Sequence, residues 1–238
     1  VARLTLDTPD GPMALDDVAA EGDGAGRAVI VIQEAYGVTS HILDVAGRLA
    51  AAGHRAVVPH IFHRTGDPVL TYGDFGAARP HMDALSQPGL LADLDATLIH
   101  LAGAGYGPER VGIVGFCMGG SVSFLAAASR RLGAAVTFYG GGVAQGRMGM
   151  PPLMAMAPSL LTPWLGLYGD RDTGIPVEQV EALRGVVAAA RVPTEIVRYP
   201  EAGHGFHCDD RPDAYHEASA RDAWSRALAW LERPAPPA

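Results

Sequence analysis

Four side chains of this 238-residue sequence have the types and placement for nucleophilic chemistry: Glu34, Cys117, Asp172 and His204. A thiol attacks as its thiolate, an imidazole can take or return the proton, and a carboxylate can fix the imidazole's tautomer and orientation. Cys117 stands in RVGIVGFCMGG (110–120), where Val111, Ile113 and Val114 read as a short buried strand and SVSFLAAASR (121–130) as a helix. Gly115 and Gly119 must then carry a sharp strand-to-helix bend, with Cys117 strained and exposed at its tip. The bend also puts the thiol at a helix N-terminus, where unpaired N–H groups and the dipole favour a thiolate. Most free cysteines are buried structural residues; the G-x-C-x-G context is what separates Cys117 from them. A thiolate there attacks an ester or lactone carbonyl and forms a thioester, which water opens with His204 as general base. The backbone N–H groups of Ala35 and Met118 are the expected oxyanion donors. Thiolates expel alkoxide poorly compared with phenolate or enolate, so activated esters and enol lactones are expected before simple alkyl esters or amides.

Each of the four residues follows a run that reads as a strand: Arg27–Ile32, Arg110–Val114, Pro163–Tyr168 and Thr194–Tyr199. In open α/β sheets ligands bind beyond the carboxyl ends of the strands, so a shared site is expected there. Arg3–Thr8 and Met13–Leu15 alternate around Pro9-Asp10-Gly11-Pro12 and predict an edge hairpin. Further strands are expected at His54–Val58 and Ala134–Tyr139. Ser40 is expected to cap a helix with Ile42, Val45, Ala46 and Leu49 on one face, ended by Gly53. Other helices are expected over Gly89–Ala104, after Pro176, and over about Ala214–Glu232. Strands alternating with helices predict a mostly parallel, doubly wound α/β sheet in one domain spanning 1–233. The stretch 59–88 shows no sustained period and reads as a lid or binding loop, or else as carrying short helices that the pattern does not place; 140–162 reads as a lid or pocket wall, with Met148, Met150, Met154 and Met156 as adaptable apolar fillers. The terminal RPAPPA reads as a disordered tail, 234–238.

Composition narrows the partners. Charged residues make up 18% and the net charge is −8, which argues against nucleic acid and anionic membranes and for a small-molecule substrate. No stretch reaches the roughly 18 apolar residues of a membrane span, and VARLTLDTPDG lacks the charged and apolar regions of a signal peptide. Two cysteines, Cys117 and Cys208, give no disulfide framework and suit a reducing cytoplasm. The H-x-x-H at His60 and His63, and His204 with His207, lack spaced third and fourth ligands, so no metal and no other cofactor is expected. The chain is read as a monomer or homodimer.

The order nucleophile, acid, histidine is that of the α/β-hydrolases. With QEAYG at 33–37, GFCMGG at 115–120, YGDRD at 168–172 and AGHGF at 202–206, the sequence resembles the dienelactone hydrolase family from about Arg27 to Leu231. The cysteine in the elbow is the most discriminating of these pieces. The resemblance implies an α/β-hydrolase fold, ester or lactone hydrolysis, Cys117 as nucleophile, His204 as base, Asp172 as the orienting acid with Asp170 as rival, and Glu34 as the group that holds the resting thiol. Family members that take anionic lactones grip the carboxylate with arginines, one of them four residues beyond the histidine; here that position is Cys208. Arg211, Arg64 and Arg79 are the arginines that could serve instead, and Tyr36 and Phe206 complete the candidate substrate-binding residues. Two other readings compete: a non-catalytic ligand-binding or stress-response protein on the same fold, and a thiol-redox protein in which Cys208 approaches Cys117.

Overall fold

The structure, a computed structural model, describes residues 1–22 and 26–234. Within them runs β1 (Ala2–Thr8), β2 (Gly11–Val18), β3 (Ala28–Ile32), α1 (Ser40–Ala51), β4 (Arg55–Pro59), α2 (Phe75–Asp83), α3 (Gln87–Gly103) and β5 (Val111–Phe116). The chain continues through α4 (Met118–Ser129), β6 (Ala134–Phe138), α5 (Leu153–Met156), β7 (Trp164–Gly169), α6 (Val177–Val187), β8 (Thr194–Tyr199) and α7 (Glu217–Leu231). The strands form one sheet in the order β1-β2-β4-β3-β5-β6-β7-β8. Pairing is antiparallel for β1 with β2 and β2 with β4, and parallel from β4 across to β8. The expected edge hairpin and the mostly parallel α/β sheet are therefore both present.

Every residue of β3, β5, β6 and β7 is buried. That explains why these strands read as continuous apolar runs: a parallel sheet flanked by helices has no solvent face. Only the edge strand β1 is largely exposed, with Leu4 38% accessible. Among the described residues no helix is long and apolar enough to cross a membrane.

Several boundaries differ from the sequence expectations for local reasons. Thr39, not Ser40, is the N-cap of α1, and Ser40 Oγ instead donates to Asp210 Oδ2 at 2.6 Å. The last helix starts at Glu217, capped by His216, whose side chain accepts from the Ser219 N–H. The 59–88 stretch carries a short helix that the sequence left unplaced, α2, capped by Asp74, which accepts from Ala77 N–H at 2.9 Å. Only Ala78 of α2 is buried, so it has no apolar stripe to read. Ser86 and Pro88 open α3 two residues earlier than expected. The expectation for 234–238 falls, at 235–238, outside the described residues.

Candidate active site

The bend between β5 and α4 is tight because its glycines allow it. A Cβ on Gly115 would lie 1.9 Å from the Gly119 carbonyl oxygen, and one on Gly119 would lie 2.4 Å from that of Gln33. Cys117 takes φ 54° and ψ −115°, in the sparsely populated region that nucleophile elbows occupy. Its N–H donates to the Phe138 carbonyl at 3.0 Å, tying the elbow to the neighbouring strand. The thiol is partly exposed, while Met118 and the rest of the first turn of α4 are buried.

The ends of β7 and β8 bring the next two groups together. Asp172 is 4% exposed; its Oδ1 accepts from the Gly174 N–H at 2.8 Å and its Oδ2 lies 2.6 Å from His204 Nδ1. Burial disfavours the charged imidazole, but Cys117 and Asp172 outweigh it and hold the His204 pKa well above its ordinary value. Asp170 is engaged elsewhere, forming a bidentate pair with Arg198 at 2.7 Å for each oxygen. Of the two acids that the sequence left open, Asp172 is therefore the one in contact with the histidine.

Glu34, at the end of β3, is 2% exposed, and burial raises its pKa. Its Oε1 has one long contact, 3.5 Å from the Tyr139 hydroxyl, and its Oε2 has no partner among the described residues. Cys117 makes no hydrogen bond to Glu34 among the described residues. Tyr139 is a site residue that sequence reasoning passed over as the last residue of a strand. It follows β6 with φ 40°, is fully buried, and its ring lies 5.1 Å from that of His204. A strand end leading into Gly140-Gly141-Gly142 was the available signal. Neither the Ala35 nor the Met118 N–H finds a backbone acceptor among the described residues.

A cleft of about 210 Å³ opens beside Cys117 and Met118, walled by Phe75, Met82 and Met148, with Arg79, Asp83 and Arg147 also lining it. Both irregular stretches therefore line the cleft: Phe75 to Asp83 come from 59–88, and Arg147 and Met148 from a tight turn in 140–162. The proposed arginines separate. Arg79 reaches the cleft, and its ion pair is Asp83 at 3.4 Å. Arg211 lies over the Tyr72 ring, 5.6 Å from its centroid, and is one of the charges acting on Glu34. Arg64 is committed to Asp93, at 2.7 and 2.8 Å, to Asp10 at 2.7 Å and to the Gly89 carbonyl, so it pins the start of α3 rather than facing the cleft. Phe206 is fully buried against Phe138, Tyr139 and Tyr199; it is core, not a cleft wall. Tyr36 packs edge-on against Tyr72 at 5.1 Å, in a small cluster with Ala35 and Ala78. Cys208 is buried and directs its thiol at the Tyr72 hydroxyl, 3.5 Å away; burial pushes its pKa up to about 12. His60 bridges Asp16 and Asp67, and His63 contacts Asp93, so both serve carboxylates.

A cysteine elbow after the central strand β5, an acid after β7 and a histidine after β8, all at one end of a mostly parallel eight-stranded sheet, define an α/β-hydrolase fold. The chain belongs to the dienelactone hydrolase family, whose model matches residues 15–234. It is similar to a crystal structure from Klebsiella pneumoniae provisionally described as a dienelactone hydrolase, with a TM-score of 0.89, 37% identity and 98% of each chain covered. A Salmonella typhimurium protein provisionally named a carboxymethylenebutenolidase is 40% identical, over 97% of this chain and 92% of its own. The carboxymethylenebutenolidase of Rhodococcus opacus is 30% identical, over 90% of this chain and 84% of its own. Membership of this family makes the chain a hydrolase.

Proposed function

We propose that this hydrolase cleaves activated carboxylic esters or lactones through a thioester on Cys117. The observation that carries the reading is the strained elbow cysteine beside a histidine held at 2.6 Å by a buried aspartate. Cys117 and Asp172, working against burial, raise the His204 pKa, which favours a protonated ring beside the sulfur. The thiolate adds to the substrate carbonyl while the Ala35 and Met118 N–H groups receive the oxyanion; each such donor is typically worth about 2.7–4 kcal/mol in the transition state. Collapse breaks the C–O bond, and His204 passes its proton to the leaving oxygen. Neutral His204 then takes a proton from water, hydroxide adds to the thioester, and the thiolate leaves with the imidazolium restored. Asp172 keeps the ring in the tautomer and orientation that both half-reactions need.

The cleft supports a small substrate with an apolar body. Arg79 and Arg147, both lining it, supply the cations for an anionic substituent in place of the residue at 208. Mass spectrometry of enzyme quenched during turnover of 4-nitrophenyl acetate tests the route. An acetyl group on Cys117 that decays at the rate of turnover is expected, with neither adduct nor turnover in Cys117→Ala. Turnover undiminished in Cys117→Ala would refute it.

A further inference from the structure

The cleft beside Cys117 has a direction. His204 must protonate the leaving oxygen, so the leaving group stands on its side of the sulfur. Among the described residues His204 does not line the cleft, so its accessible surface, 36% of the side chain, faces solvent outside it. The cleft meets the site at Cys117 and Met118 instead. It therefore extends from the carbonyl carbon away from the leaving group, where the acyl chain runs. One wall of the cleft is held in a backbone conformation that its residue type disfavours. Met148 takes φ 54° and Gly149 φ 65°. Arg147 and Met150 pair on either side of them, and the Met150 N–H donates to the Arg147 carbonyl at 2.9 Å. Two left-handed residues between a bridged pair make a turn of the type I′ class, which favours asparagine, aspartate or glycine at its first central position. Methionine there is strained, and strain persists where the surroundings or the function require that side chain. The turn is braced from behind: a Cβ on Gly149 would lie 3.2 Å from Ser86 Cα and 3.4 Å from the Leu85 carbonyl oxygen, at the junction of α2 and α3. Met148 is buried, so the turn presents its side chain to the cleft and not to open water.

We infer that the cleft is the acyl pocket of this hydrolase and that Met148 is its specificity-determining residue, limiting the acyl half of the substrate to a short chain. The thioether occupies the space into which a longer chain would extend, and Phe75 and Met82 from the 59–88 stretch supply further apolar lining. Because the turn is braced against the start of α3, Met148 cannot swing aside by a shift of its backbone alone. The inference deepens the thioester reading and rests on it for the side from which the leaving group departs.

The test compares wild type, Met148→Gly and Met150→Ala. It measures kcat/KM for 4-nitrophenyl acetate and hexanoate, which share a leaving group, and for phenyl and 2-naphthyl acetate, which share an acyl group. Glycine suits the turn, so Met148→Gly widens the cleft without adding strain. A single methylene accepted or refused by an apolar pocket changes kcat/KM by about 10–200-fold. Met148→Gly is therefore expected to raise the hexanoate-to-acetate ratio by about tenfold or more and to leave the naphthyl-to-phenyl ratio unchanged. Met150→Ala removes a buried methionine of the same turn that does not line the cleft, and should move neither ratio. A hexanoate-to-acetate ratio unmoved in Met148→Gly, a naphthyl-to-phenyl ratio that rises with it, or an equal rise in Met150→Ala would overturn the inference. Alkylation of Cys117 by chloroacetone and by 1-chloroheptan-2-one reads the same fit without turnover, and Met148→Gly should favour the longer reagent. Turnover undiminished in Cys117→Ala would remove the thioester reading instead, while the alkylation ratio would still report whether Met148 limits the chain beside the thiol.

Discussion

His207 offers a quantitative test of how the ground beneath the site is built. Its ring is 1% exposed and packed among Phe138 at 4.9 Å, Phe116 at 5.3 Å, Trp224 at 5.4 Å and His41 at 5.4 Å. Burial, with the charges of His41 and Arg48 adding to it, pushes its pKa down to about 3. A histidine in the unfolded chain titrates near 6.5. Between those values the unfolded chain holds a proton that the folded protein does not, so stability from this residue is present above about pH 6.5 and drains away as the pH falls. At about 1.4 kcal/mol per pH unit, the loss is near zero at pH 7 and about 2 kcal/mol at pH 5. His207→Phe keeps a flat ring of similar size in an aromatic nest and removes the titration. Urea unfolding of both proteins at pH 7 and pH 5 should show the variant losing about 2 kcal/mol less on acidification. His60 and His204, whose pKa values are raised, contribute the opposite slope, but they are common to both proteins and cancel. Equal acid losses in the two proteins would refute the argument.

Asp172→Asn should lower kcat by about three to four orders of magnitude, as loss of the orienting acid does in histidine-based triads, whereas Asp170→Asn should leave kcat within about threefold, since its partner is Arg198; steady-state kinetics separate the two. Titration with a thiol reagent should find one reactive cysteine in the native protein, Cys117, with Cys208 appearing only in denaturant because it is buried and its pKa is pushed up to about 12. Arg64→Met should leave kcat/KM unchanged while costing about 3–5 kcal/mol in urea unfolding, because it strips a bidentate partner from the buried Asp93.

The architecture was legible because parallel strands buried on both faces have nowhere to put polar residues, so β3, β5, β6 and β7 announce themselves, and their carboxyl ends mark where Glu34, Cys117, Tyr139 and Asp172 must emerge. Pairing was not legible. Which of Asp170 and Asp172 meets His204 depends on a turn of two residues, and the resemblance of motifs, not the physics of the sequence, favoured Asp172. Arg64 illustrates the wider difficulty: its partners lie 29 and 54 residues away, and a guanidinium in a long loop looks the same whether it will meet a substrate or a buried carboxylate. Phe206 was misplaced for a related reason, since its neighbours in sequence sit at the site while its ring turns into the core. The helix α2 could not be placed because one buried alanine leaves no period.

The close approach of Gly119 to the Gln33 carbonyl has a consequence for how this site can change. It presses the elbow directly against the strand end that carries Ala35, so the Ala35 and Met118 amides, the proposed oxyanion donors, keep their spacing through contact of main chain with main chain. The side chain at 117 takes no part in that contact. The reactive atom is thus the exchangeable part of the site: Cys117→Ser could alter the chemistry while the anion-receiving geometry stays in place. A single methyl group at 119 would force the two halves apart and spoil that geometry with the thiol untouched.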